Sequence, residues 1–179
     1  MNRERFQAIA FLNFALILIL MRDVAWQVRA QDRQMLYPSM APIEQYLMTD
    51  RNAEIALARS AAPEAISRDA TILVLGRHGY ETAVEGTNGF VCAVERGWMS
   101  PFDGDFAANF WNPKIRGPLC LNPPAARSVL PITYKRTEMI LAGKSKAEII
   151  EALKTAYEKK ELPPVEPGAM SYMMSKDQY

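Results

Sequence analysis

Histidine and cysteine are nearly missing from these 179 residues, with one of the first and two of the second. So small a stock of nitrogen and sulfur ligands, with no pair at metal-site spacing, excludes a structural zinc centre. No metal and no cofactor is expected. An excess of one charge is missing as well. Lys and Arg number 21 against 20 Asp and Glu, a net charge of +1 with no basic run or acidic tail, which removes the electrostatic footprint of a nucleic-acid binder. A Gly-rich phosphate loop, a nucleophile elbow and a calcium loop are also lacking, and Gly86-Thr87-Asn88-Gly89 reads as a turn. Beyond Met21 no apolar run reaches the roughly 20 residues that a membrane-spanning helix needs.

What is present begins with a leader. Arg3 and Arg5 precede an apolar stretch from Phe6 to Met21, broken only by Gln7 and Asn13, and Val28-Arg29-Ala30 offers small residues for cleavage. This is the pattern of a secretory signal peptide over residues 1–30, cut after Ala30, with an uncleaved anchor as the alternative. The remainder, 31–179, has the length of one domain. Its hydrophobic fraction of 49% and charged fraction of 23% are those of a chain that folds. The expectation is an exported protein, periplasmic or secreted, with no membrane contact once the leader is gone, and with a small molecule or an envelope component as partner. In that oxidising setting Cys92 and Cys120 are expected to form a disulfide, and the alternative is two buried free thiols.

The rest of the chain predicts an α+β domain, an antiparallel meander covered on one side by three or four helices. Asp50 can cap a helix running to about Ala62, ahead of Pro63. Strands are expected at Thr71–Leu75, Tyr80–Glu85 and Phe90–Glu95, the last two joined through Asn88-Gly89, a dipeptide favoured in tight hairpins. Residues 97–122, rich in Trp, Phe, Asn and Pro, read as a long loop. A helix over about 124–142 should kink or restart at Pro131 and stop at Gly143. Ser145 and Glu148 have capping-box spacing for a helix to about Lys159, with Ile149, Ile150, Leu153, Ala156 and Tyr157 facing the sheet. Met170–Met174 could begin another strand, and the end at Tyr179 reads as one that could continue.

Two sites suggest themselves. The first is the loop, where Trp98, Phe102, Phe110 and Trp111 would cluster beside Arg77 or Arg116 as a ligand-binding face of an envelope module. Alternatively the rings merely cover an open sheet face. The second is Leu73-Val74-Leu75-Gly76-Arg77-His78-Gly79, which resembles the strand and Arg-His-Gly start of the histidine phosphatase superfamily. That resemblance implies phosphoryl transfer, with His78 as nucleophile, Arg77 holding phosphate oxygens, and Glu81 or Glu85 as proton donor. The family's second phosphate-binding histidine has no counterpart, since His78 is the single histidine of the chain. The plainer reading of His78 is a turn residue between two strands. From about Tyr37 onward, segments such as Gly76–Thr82, Asn88–Cys92 and Asn122–Ser128 resemble a set of exported bacterial proteins without an assigned activity. Members of that set run past the equivalent of Tyr179 into a histidine-containing stretch, which implies partners for His78 beyond the present end.

Overall fold

The computed structural model describes residues 37–102 and 105–177. The signal-peptide reading of residues 1–30 lies outside them. Within them the chain builds a five-stranded sheet and five helices, an α+β fold, with strand order β2-β1-β3-β4-β5. The sheet is mixed where an antiparallel meander was expected.

Strand β1 (Thr71–Gly76) is buried over Ile72–Leu75, as its β-branched and leucine run predicts, and pairs antiparallel with β2 (Gly79–Val84). Arg77 and His78 form the two-residue turn between the paired Gly76 and Gly79. Gly79 has φ +128°, a conformation open in practice to glycine alone.

From β2 the chain does not turn back beside itself. It crosses the start of β1 and enters β3 (Val91–Glu95) on the other side, parallel to β1. The crossing is fixed by backbone and short side chains. Gly86 N–H donates to Thr71 Oγ1 at 3.0 Å, Thr87 N–H to Asp69 O at 2.8 Å, and Asn88 Nδ2 to Ile66 O at 2.7 Å. A Cβ on Gly86 would sit 2.1 Å from Thr71 N, so only glycine passes this close. Asn88-Gly89 therefore belongs to a crossover and not to a hairpin, because these contacts tie the segment to the start of β1 and the turn before it.

The segment expected to be one long loop holds a further strand, β4 (Gly117–Leu121), antiparallel to β3, followed at its outer edge by β5 (Ser171–Tyr172). Pro118 is tolerated for a reason that the pairing supplies. Val94 C=O accepts from Tyr80 on the β1 side, so Val94 and Pro118 face each other as a pair that exchanges no ladder bonds. Cys92 and Cys120 stand directly opposite in the same ladder, both fully buried, and are joined as a disulfide.

Helices lie against both faces and not one. Helix α1 (Arg51–Arg59), capped by Asp50, packs across β1, β3 and β4, with Ala58 against Ile72, Cys92, Val94 and Cys120. It ends three residues before the predicted Ala62, and a short α2 (Glu64–Ser67) follows Pro63. On the opposite face lie α3 (Pro123–Ser128) and α4 (Leu130–Leu141), broken at Val129 with Pro131 in the first turn of the second, as anticipated. Gly143, at φ +73°, ends α4, and the Ser145–Glu148 capping box opens α5 (Lys146–Glu158). Ile149, Leu153 and Ala156 of α5 join Trp98, Phe110 and Ile140 in the larger core, while Ile150 and Tyr157 stay exposed.

Candidate functional site

The parallel pair β1–β3 is short. Thr71 N–H donates to Phe90 O at 2.9 Å and pairing extends only through Ile72 and Cys92. Continued in register, the ladder would next bring Leu75 N–H to Val94 C=O. Here the strands part, and side chains take over both groups. Glu54, on the inner face of α1, accepts from Leu75 N–H at 3.1 Å, and Tyr80 O–H donates to Val94 O at 2.8 Å. Arg96 closes the arrangement with Nη2 on Glu54 at 2.7 Å, Nε on Tyr46 O at 2.7 Å and Nη1 on Val94 O. Both members of this ion pair are buried, at 1% and 1% exposure. Burial pushes the Tyr80 phenol well above its ordinary range, with Arg96 opposing the rise.

Glu95, the next residue back along β3, faces the other side of the sheet. Burial pushes its carboxyl up to about 7, against the pull of Arg136 on α4. Arg136 in turn is lowered to about 10, chiefly by burial, with Glu95 resisting. The two do not touch, and among the described residues Arg136 makes no ion pair. Its guanidinium lies 4.0 Å above the Phe102 ring and 5.4 Å from that of Phe110, with Nη2 donating to Ser100 O at 2.7 Å. Arg136 Nε and Thr133 Oγ1, one turn apart on the buried stripe of α4, are enclosed without a hydrogen-bond partner. Such atoms cost free energy, and two together mark an unusual place in the core.

The raised Glu95 carboxyl carries a stability prediction. The folded state holds this proton up to about pH 7, against 4.5 for an ordinary glutamate. Over that interval the folded form binds more protons than the unfolded one, so stability should fall as pH rises and level off above 7. The full swing is at most about 3 kcal/mol. In Glu95→Gln this component should vanish. Urea unfolding at pH 5 and pH 8 checks it, and the variant should gain on the wild type at pH 8. Equal pH responses of the two proteins would defeat the assignment.

Of the rings anticipated for the ligand face, Phe102, Phe110 and Trp111 meet one another, and Trp98 shares the larger core with Phe110. Trp98 packs tilted against Tyr46 with centroids 4.8 Å apart, Phe102 lies 5.6 Å from Phe110, and Phe110 meets Trp111 edge-on at 4.6 Å. Trp98 and Phe110 are buried, with Trp98 Nε1 donating to Thr137, while Phe102 and Trp111 are half-buried. The cation over these rings is Arg136, not Arg77 or Arg116. Arg116 turns back on its own segment, donating to Pro113 O and Ile115 O, and is lowered to about 10 by burial and by Arg96.

The Arg-His-Gly segment does not assemble a pocket. His78 is exposed at the tip of an antiparallel hairpin; Arg77 pairs with Glu44, and Glu81 with Arg51 at 2.5 Å. Among the described residues no three His, Cys, Asp or Glu side chains converge as a metal would need. An open groove of about 460 Å³ lies elsewhere, between α4 and α5, lined by Lys135, Glu148, Glu151, Thr155 and Glu161. No protein-family model, curated protein or solved structure matches the chain.

Glu54, Tyr80, Glu95, Arg96, Thr133 and Arg136 were not singled out by sequence. One signal was there for Glu54, which falls one turn before the buried Ala58 and so shares the inward face of α1.

Proposed function

We propose that the chain is an exported binding module whose ligand face is the corner where Arg136 meets the aromatic segment, Trp98 to Trp111. The observation that carries the reading is Arg136 itself, a nine-tenths-buried cation stacked on rings with no contacting carboxylate among the described residues, beside an elevated Glu95. Perturbed ionisable groups in partly desolvated surroundings are where ligands are recognised. Export is supported by the leader pattern and by a buried disulfide, which suits an oxidising compartment. Among the described residues no helix is long and apolar enough to cross a membrane. Among the described residues no group converges on His78, and no catalytic role is assigned to it.

A thermal-shift screen of small neutral, cationic and anionic compounds tests the binding reading. Compounds that raise the melting temperature should lose most of that effect in Arg136→Lys, which keeps the charge but not the planar fork. A screen in which no compound stabilises the wild type, or in which the variant responds equally, would remove it.

A further inference from the structure

A ligand class follows from how Arg136 is satisfied, on the premise that this corner is a binding face. Of the groups on the guanidinium, Nη2 is taken by Ser100 O and Nε is enclosed. That is the one hydrogen bond Arg136 makes among the described residues, so Nη1 is left to a guest. Phe102 and Phe110 strip water from the guanidinium, and a cation in such surroundings favours an anion over bulk solvent. The nearest carboxyl, Glu95, is held off contact. The charged and titratable groups around it are Arg136 from α4 and Tyr80 from β2; Arg96, the next residue in the chain, faces away and is committed to Glu54.

We infer that the Arg136 corner binds a small carboxylate carried on an apolar body. The carboxylate would accept from Arg136 Nη1 and from the protonated Glu95, and its apolar body would lie on the half-buried Phe102 and Trp111 rings. A second negative charge beside Glu95 is unfavourable unless one of the two carboxyls is protonated, so the proton is part of the fit. The same crowding disfavours a phosphate dianion. Glu95 acts here through the guest's carboxylate and is a binding group, not a catalytic one.

Calorimetry of the full chain with benzoate and with inorganic phosphate tests this at pH 6 and pH 8. With a midpoint near 7 the protonated fraction of Glu95 drops from about nine-tenths to about one-tenth, so benzoate affinity should weaken about tenfold or more. The heat at pH 8 should depend on buffer ionisation, showing net uptake of close to one proton, whereas at pH 6, where Glu95 already holds its proton, it should depend little on the buffer. Glu95→Gln should bind at both pH values alike and without uptake, and Arg136→Lys should bind at least tenfold more weakly at pH 6. Benzoate affinity that ignores pH, a pH response that survives in Glu95→Gln, or binding of phosphate alone would each overturn the inference. If a neutral compound from the thermal screen binds through Arg136 while benzoate does not, the ligand class fails and the binding face stands. If no compound of any charge binds, both fall.

Discussion

Replacing Arg96 with methionine is expected to cost the domain about 3–5 kcal/mol, the usual consequence of leaving one charge of a buried pair without its partner. Arg96 is 1% exposed and holds three oxygens at once, from Glu54, Tyr46 and Val94. Its loss leaves the Glu54 carboxylate in the core with only the Leu75 N–H. Glu54→Leu should be damaging for the mirror reason, and it also orphans the Leu75 N–H where the ladder has opened. The double variant should cost clearly less than the sum, because neither buried charge remains. Val94 C=O still has the Tyr80 hydroxyl, whereas Leu75 N–H and Tyr46 C=O stay unmatched, so recovery should be partial. Urea unfolding of the four proteins gives the coupling energy. Single variants within about 1 kcal/mol of wild type, or strictly additive effects, would show that the pair does not hold the parted strands together.

That pair also shows where sequence stopped being informative. Helix ends were legible because their causes lie within a few residues: Asp50 and Ser145 accept from backbone N–H groups one turn away, Pro131 lacks a donor, and Gly143 adopts a positive φ. Strand β1 was legible from its unbroken apolar run. Strand β4 was not, since Gly117 and Pro118 argue locally against a strand and only the opposing Val94 and Glu95 make them one. The parallel placement of β3 depends on Gly86 passing Thr71, a contact across 15 residues that the Asn88-Gly89 signal cannot report. The aromatic residues of the candidate site were legible by composition. Their cation was not, because Arg136 reads along the sequence as one of several basic residues on a helix, and only packing turns it inward.

Removing the cross-link between Cys92 and Cys120 should lower the unfolding free energy by about 3–4 kcal/mol, a melting shift on the order of 10 °C for a domain of this size. The bridge joins facing residues of β3 and β4 across 28 positions of sequence, so the loop it closes holds the whole aromatic segment. Unfolded chains with that loop tied have far fewer conformations, which raises the free energy of the unfolded state more than it alters the native one. The sulfurs also fill space beneath α1 among Ala58, Ile72 and Val94, so two different comparisons are needed. Reduced wild type loses the tether and keeps the volume, whereas Cys92→Ala with Cys120→Ala loses both and should fall lower by about 1 kcal/mol or more per site from the cavities alone. Because Cys120 is also paired with Tyr172, the edge strand β5 should loosen in both forms, exposing the amide of Tyr172 to faster hydrogen exchange. Guanidinium unfolding with and without reductant reads the first difference and exchange mass spectrometry the second. Equal midpoints for oxidised and reduced wild type would mean that the strands are held by packing alone, and would withdraw the disulfide as support for export.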